Sequence, residues 1–141
     1  LTVAPELPAT TLAPYCYYEM FHSCTSLVVA PQLPATTLAS SCYSGMFEGC
    51  TSLVVAPELP ATTLDTQCYE HMFYGCTQLT KVTTKQSDWG VTLSTSSWLY
   101  NVAASGTFYC PAELGTNETI TRGNDNCPEG WTVINIQPSD T

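Results

Sequence analysis

The sequence is poor in charged residues, and above all in positive ones. Lys and Arg number three in 141 residues, Asp and Glu number twelve, and together they make up 11% of the chain. A soluble domain usually carries about 25% charged residues. Three cations can neither neutralise a phosphate backbone nor hold an anionic headgroup layer, so we expect no nucleic acid and no anionic membrane as partner.

Long apolar runs are missing too. No stretch approaches the roughly 20 apolar residues that span a bilayer, so we expect no membrane insertion. The hydrophobic share of 44% is nevertheless enough for a buried core, which argues against disorder. Thr is abundant and outnumbers all the charged types combined.

A repeat with a period of 26 organises the first part of the chain. Three blocks agree at sixteen of their 26 positions, and a partial fourth follows; they cover 1–26, 27–52, 53–78 and 79–85. A unit this short cannot bury its own apolar face and must stack on its copies. We therefore predict a repeat solenoid over residues 1–85 and a non-repeat capping segment over residues 86–141.

Each unit divides into two halves. In the second unit, Pro31 and Pro34 exclude a long helix from the first half, which favours short extended pieces and turns. The second half has no proline and repeats apolar residues at spacings of three and four, which are Cys42, Tyr43, Met46, Phe47 and Cys50. Such a stripe is typical of a helix. A short strand or turn plus a short helix in each unit of this length predicts a leucine-rich-repeat-like fold.

One phrase of the unit resembles a known family. The sequence MFEGCTSL at Met46–Leu53 is echoed at Met20–Leu27 and Met72–Leu79. It is similar to the end of the unit in the BspA-like leucine-rich repeats of bacterial surface proteins, although one helical step, Cys42-Tyr43, is added here. The resemblance covers residues 1 to about 85. It implies an exported protein on the bacterial outer surface, with adhesion to a host or bacterial surface protein or glycan.

Residues 86–141 follow no period and contain all three tryptophans. Ser96–Ala104 favours a short capped helix, and Thr107–Tyr109 and Trp131–Ile136 are typical of strands. We interpret this segment as the cap that an open array end requires, with a separate small binding module as the alternative. Because the chain starts at a repeat boundary without methionine, we expect it to be the C-terminal part of a longer array.

The eight cysteines form two groups. Six repeat, at positions 16, 24, 42, 50, 68 and 76. We interpret them as small buried thiols stacked in columns, with disulfides between neighbouring units as the alternative. Cys110 and Cys127 lie outside the repeat, and an oxidising extracellular setting favours a disulfide between them, worth about 3 kcal/mol. No C-x-x-C pair supports zinc, and we expect neither metal nor cofactor.

No residue pattern indicates catalysis. His22 and His71 occupy slots that hold Glu, Tyr or Gly in the other units, so we interpret them as surface residues. Glu6 and Glu58 are two units apart with Gln32 between them. They lie on an open edge, where burial would not raise the pKa of either carboxyl as a glycosidase acid requires. We predict that the protein is not an enzyme.

Positions that differ between the units are those that stacking does not dictate, and we predict binding there. Exposed aromatic and acidic side chains can anchor a partner, with ordinary solubilising roles as the alternative. The candidates are Tyr15, Tyr18, Glu19, His22, Ser44, Glu48, Glu70, His71 and Tyr74. The β propensity of threonine is sufficient to explain a regular ladder of Thr pairs, Thr10-Thr11, Thr36-Thr37 and Thr62-Thr63, with recognition of a regular polymer as the alternative.

The resemblance thus implies a surface-displayed protein that works by adhesion or by binding a protein or glycan. The alternative is a structural spacer or assembly unit of a filament or phage particle, for which self-association is expected.

Overall fold

The computed structural model describes residues 2–137 as a stack of similar layers joined by parallel backbone pairing. Its sheet has three parallel strands in the order β1-β2-β3, with bounds Lys81–Thr83, Thr107–Pro111 and Thr132–Ile136. Lys81 pairs with Thr107, and Thr107 with Thr132. The described residues contain no helix.

Isolated bridges continue this register toward the N-terminus. Val55 pairs with Lys81, and Val3 pairs with Val29. Together with the pairs between the strands, these bridges make residues 3, 29, 55, 81, 107 and 132 equivalent positions of successive layers. The spacing between them stays within one residue of the 26-residue sequence period. The spatial period therefore continues after the sequence period has been lost.

The second half of each unit is a row of β-turns, which we call the turn ladder (13–24, 39–50, 65–76 and 91–101). Within one ladder, every second N–H closes a turn, as when Met46 donates to Tyr43 at 3.1 Å. The N–H groups between them leave the unit and donate to carbonyls of the next ladder, as Tyr43 does to Cys68 at 3.0 Å. Five such bonds form at each of the three junctions between ladders.

A left-handed residue recurs at every fourth position of the ladder. In the second unit these residues are Ser41, Gly45 and Gly49, with φ of 55°, 65° and 77°. The equivalent residues of the other ladders are Tyr15, Glu19, Ser23, Gln67, His71, Gly75, Leu93, Ser97 and Asn101. An α-helix requires negative φ at every position, so this backbone is incompatible with one.

The predicted leucine-rich-repeat-like solenoid with a helix in each unit is therefore wrong. Cys42, Met46 and Cys50 recur at a period of four, and four-residue turns place residues i and i+4 on one face, as a helix of about 3.6 residues per turn does. Two periods are too few to separate the two structures.

The helix predicted at Ser96–Ala104 is wrong for the same reason. Leu93, Ser97 and Asn101 have φ of 57°, 48° and 60°, which makes residues 91–101 a fourth turn ladder. The stacked geometry thus extends beyond the boundary expected at residue 85. The strands predicted near Thr107 and Trp131 are confirmed as β2 and β3.

The core consists of columns of equivalent side chains. Tyr17, Tyr43 and Tyr69 stack with ring centroids 5.9 and 6.1 Å apart, and Trp98 extends the column at 5.7 Å. Phe21, Phe47 and Phe73 form a second column at 5.6 Å. The leucines of one repeat position, Leu7, Leu33 and Leu59, all belong to the same buried cluster. Each aromatic pair contributes about 0.5–1.5 kcal/mol beyond its buried area.

The cysteines of the second and third units are free, fully buried thiols, whereas Cys16 is exposed. Burial raises the pKa of Cys42 and of Cys50 to about 11 and that of Cys68 to about 12. In the cap region, Cys110 and Cys127 are also buried and the structure holds them as free thiols. The disulfide between these two stays a prediction.

Candidate functional site

The outer side of the turn ladders brings titratable side chains of successive units into contact. Glu48 is central: its Oε2 lies 2.9 Å from Nε2 of His22, and its Oε1 lies 3.4 Å from Nδ1 of His71. His22 belongs to the first unit and His71 to the third. A single carboxylate therefore connects three units through side chains alone.

Two tyrosines extend this group. The His71 ring lies 5.1 Å from Tyr74, and Tyr74 stacks on Tyr100 with centroids 4.8 Å apart. We call the five residues His22, Glu48, His71, Tyr74 and Tyr100 the Glu48 cluster. It is drawn from four consecutive layers and lies on the surface.

Negative charge of several carboxylates acts on Tyr18. The charge of Glu19 is the main cause that raises the pKa of Tyr18 above its ordinary value of 10.0, with smaller effects from burial, Tyr15, Glu70 and Glu48. Carboxylates of three units thus act on one phenol. Within residues 2–137, the only ion pairs are those between Glu48 and the two histidines, so no Lys or Arg neutralises this surface.

The structure separates the predicted binding residues into groups. Four of them, His22, Glu48, His71 and Tyr74, belong to the cluster. Tyr15 and Tyr18, both in the first unit, instead pack edge to face with ring centroids 5.4 Å apart. Glu19 lies against Gly45 of the next unit, and Glu70 accepts a hydrogen bond from Nε2 of Gln67 at 3.0 Å.

Ser44 does not fit the binding prediction. It is only 4% exposed, so its side chain does not reach a partner. The Glu19 side chain lies over the adjacent Gly45, where an added Cβ would be 3.0 Å from the Glu19 Cγ. Large side chains of neighbouring units thus cover the small residues of the second unit.

Tyr100 was missed because it lies outside the recognised repeat. It follows Tyr74 by one full period, in the slot that His22 and Glu48 occupy in the first two units. Counting 26 residues onward from Tyr74, without requiring the same residue type, would have identified Tyr100.

Three shallow grooves lie on other faces. Two of about 390 and 360 Å³ run between successive proline corners, and each contains one carboxylate and one amide, Glu6 with Gln32 and Gln32 with Glu58. A third, of about 400 Å³, lies over exposed valines that include Val29 and Val55. None of the three contains the pair of carboxylates that general acid–base hydrolysis of a glycoside uses.

The histidines and carboxylates do not form a metal centre. No group of three or more His, Cys, Asp or Glu in residues 2–137 is arranged to hold a metal ion. The same part of the chain has no helix with the length and apolar character to cross a membrane.

Comparison with known proteins gives no match: neither a protein-family model, nor a curated protein, nor a solved structure is significantly similar to this chain. Membership of the BspA-like family, inferred from the MFEGCTSL phrase, therefore stays a prediction, and so does the bacterial surface location that it implies.

Proposed function

We propose that this protein is a non-catalytic binding protein displayed on a bacterial surface, and that it adheres to its partner through the Glu48 cluster. The observation that carries the proposal is that five residues from four layers meet at one surface site. Each of them occupies a slot whose residue type varies between the units. The core columns beneath them, in contrast, repeat the same residue in each unit. Stacking explains the repeated residues, and it leaves the differing ones for recognition.

The chemistry of the cluster favours a partner that presents cations. Tyr100 is 42% exposed and offers one ring face beside the stacked Tyr74, and Glu48 supplies a negative charge to the cluster. Aromatic anchors and complementary charge are the usual determinants of such interfaces. The net charge of −9 would also steer a basic partner toward this surface. We therefore expect a surface protein with exposed Lys and Arg, in preference to a neutral glycan.

The buried cysteines of the second and third units support a role without catalysis. A nucleophilic cysteine needs a thiolate, and burial raises the pKa of Cys42 to about 11 and of Cys68 to about 12. Two of the grooves contain one carboxylate each and the third contains none, so the grooves hold no acid–base pair of carboxylates.

The test is biolayer interferometry on the immobilised protein. The probes are a library of Lys- and Arg-containing decapeptides and an array of neutral oligosaccharides. We expect saturable peptide binding that weakens roughly 5- to 30-fold in Tyr74→Ala, since truncation of an anchoring aromatic usually costs about 1–2 kcal/mol. Tyr15→Ala is the matched control, because Tyr15 is an exposed tyrosine outside the cluster. Binding that is indifferent to Tyr74→Ala would contradict the assignment, and binding of oligosaccharides alone would replace the partner class.

A spacer or assembly unit is the second candidate. This role is favoured by the uniform junctions between ladders, each with five backbone hydrogen bonds. Units joined in this way form an extended stack whether or not their surface binds a partner. This role predicts no saturable binding in the same assay and ordered self-association in sedimentation velocity.

A further inference from the structure

The extended halves of the first and second units are joined by backbone pairing. The Val29 N–H donates to the Thr2 carbonyl at 3.3 Å, and the Val29 carbonyl accepts the Ala4 N–H at 3.5 Å. These two bonds form the bridge between Val3 and Val29. Both backbone groups of Val29 therefore point toward the first unit, and in a parallel strand the groups used by the residues on either side point the opposite way.

The third and fourth layers are joined in the same manner. The Thr80 N–H donates to the Val54 carbonyl at 2.9 Å, and the Ala56 N–H donates to the Lys81 carbonyl at 3.0 Å. Val55 is bridged to Lys81 by these contacts of its two neighbours. Because the third unit uses the residues on either side of Val55 for this junction, the N–H and the carbonyl of Val55 itself face the second unit.

The corresponding bridge between the second and third units is not made. It would join the Val55 N–H to the Val28 carbonyl and the Val55 carbonyl to the Ala30 N–H. Within residues 2–137, none of these four groups takes part in a hydrogen bond. The turn ladders of the same two units are nevertheless joined by five bonds. This junction is therefore closed on its ladder side and unpaired on its extended side, with paired layers before and after it.

Two of the three grooves meet at the unpaired junction. The grooves of about 360 and 400 Å³ share Ala30 and Pro57, and together they are lined by residues 28–34, 54–58 and 60. We call these two grooves the Val55 cleft. The groove of about 390 Å³ lies instead between the first two units, where the bridge is made. Cavities of a few hundred Å³ with mostly apolar walls are typical of binding sites.

The Val55 cleft is apolar apart from two side chains. Val55 is 50% exposed on it, and Gln32 and Glu58 supply the polar atoms. Neither of these two side chains has a hydrogen-bond or ion-pair partner in the described part of the chain. Lys81 of the adjoining layer is engaged elsewhere, since its Nζ lies 5.1 Å from the centroid of the Tyr109 ring. The cleft thus carries one carboxylate that no cation of residues 2–137 neutralises.

We propose that the Val55 cleft binds an extended peptide segment of a partner protein, one that carries branched apolar side chains and a Lys. The main chain of such a peptide supplies both donors and acceptors to the unpaired groups of Val28, Ala30 and Val55, as in recognition by strand addition. Its apolar side chains pack on the valines, and its ammonium group pairs with Glu58. A small alkylamine would satisfy the carboxylate and leave the backbone groups unpaired.

The inference goes beyond the proposed function, because the Val55 cleft contains no residue of the Glu48 cluster. The two sites also differ in what they recognise. The cluster offers exposed aromatic and charged side chains, whereas the cleft offers backbone groups and an apolar surface.

Amide hydrogen exchange, followed by NMR, tests the unpaired junction without any ligand. We expect protection factors at Val55 and Ala30 to be at least about 10-fold lower than at Ala56, whose N–H is bonded to the next layer. Equal protection of Val55 and Ala56 would show that the bridge forms in solution, and it would overturn the inference.

Three hexapeptides, acetylated and amidated at their ends, then test the ligand class: TVTVTK, TVTVTE and TSTSTK. We expect TVTVTK to slow exchange at Val55 and Ala30, and to bind roughly 10-fold more tightly than either of the others, which lack the cation or the branched side chains. Glu58→Gln should remove the preference for TVTVTK over TVTVTE. Glu6→Gln is the matched control, because Glu6 fills the same slot in the first unit, beside the bridge that is made.

Three results of the titration would overturn the inference. The first is equal affinity for all three peptides, and the second is a preference lost equally in Glu6→Gln and Glu58→Gln. The third is n-pentylamine that shifts the Val55 and Ala30 amide resonances as strongly as TVTVTK at the same concentration, which would assign the cleft to small amines. Tyr74→Ala should leave TVTVTK binding unchanged, so failure at the Glu48 cluster and failure at the cleft are distinguishable.

Discussion

Replacing Gly75 by alanine tests the left-handed backbone of the turn ladder at this residue by the sign of the change in the free energy of unfolding. Gly75 has φ of +77°, and a Cβ added there would meet nothing nearer than the Gly49 backbone nitrogen at 3.8 Å. The substitution therefore introduces no steric clash, and it changes only the conformational preference of the backbone.

The magnitude follows from two opposing effects. A residue with a Cβ costs roughly 1–2 kcal/mol in the left-handed region, and replacing glycine recovers about 0.5–1 kcal/mol by restricting the unfolded chain. Gly75→Ala should thus lower the free energy of unfolding by about 0.5–1 kcal/mol. In a helix interior the same change would raise it by about 0.8–1 kcal/mol.

Equilibrium unfolding in urea measures the difference. Gly75→Asn should lose less than Gly75→Ala, because Asn adopts the left-handed region more readily. The control is Asn101→Gly, which changes the same slot one layer further on, where φ is 60°, and should not lose stability. A Gly75→Ala protein at least as stable as the natural chain would refute the turn ladder.

Three further predictions concern buried groups. In native-state alkylation at pH 8, Cys16 should be labelled before Cys68, whose pKa burial raises to about 12; early labelling of Cys68 would show that its column is open. Tyr69→Phe should raise the free energy of unfolding by about 1 kcal/mol, because the buried Tyr69 hydroxyl has no hydrogen-bond partner among residues 2–137. Tyr43→Phe is the control, and a loss of stability in Tyr69→Phe would reveal a partner. The free energy of unfolding should fall as the pH rises above 9. The cysteine thiols of the unfolded chain ionise near pH 9.0, whereas burial raises the pKa of Cys42 to about 11 in the fold. Urea midpoints that stay constant from pH 7 to about 10.5 would contradict this raised pKa.

The layering could be predicted from the sequence because it depends on repetition. Equal spacing of identical residues forces equivalent positions into columns, whatever the backbone between them does. The strands near Thr107 and Trp131 were also predictable, because branched and aromatic residues are concentrated there.

The conformation of the second half-unit could not be predicted with the same certainty. Gly45 and Gly49 are four residues apart, which is a signal for left-handed positions at that interval. The signal is obscured in the other units, where Glu19, Ser23 and His71 occupy such positions. These side chains adopt a costly φ because hydrogen bonds to the next layer fix the backbone.

The candidate site was predictable only in part. Variation between the units identified His22, Glu48, His71 and Tyr74, since side chains free of packing demands differ. It failed at Ser44, because a small side chain in a varied slot can be covered by its larger neighbours. It missed Tyr100, since the fourth ladder is maintained by backbone hydrogen bonds and not by residue identity.

In each turn ladder, alternate N–H groups close a turn within the layer and bond to a carbonyl of the next layer. This arrangement has a mechanical consequence. Tension applied to the two chain ends acts on the junctions in series, so the weakest junction opens first and the others remain closed. Each opening releases one unit of the repeat, which extends to about 90 Å at 3.3–3.6 Å per residue. A protein that tethers a cell through such a chain would lengthen in discrete steps under load and dissipate energy at each one.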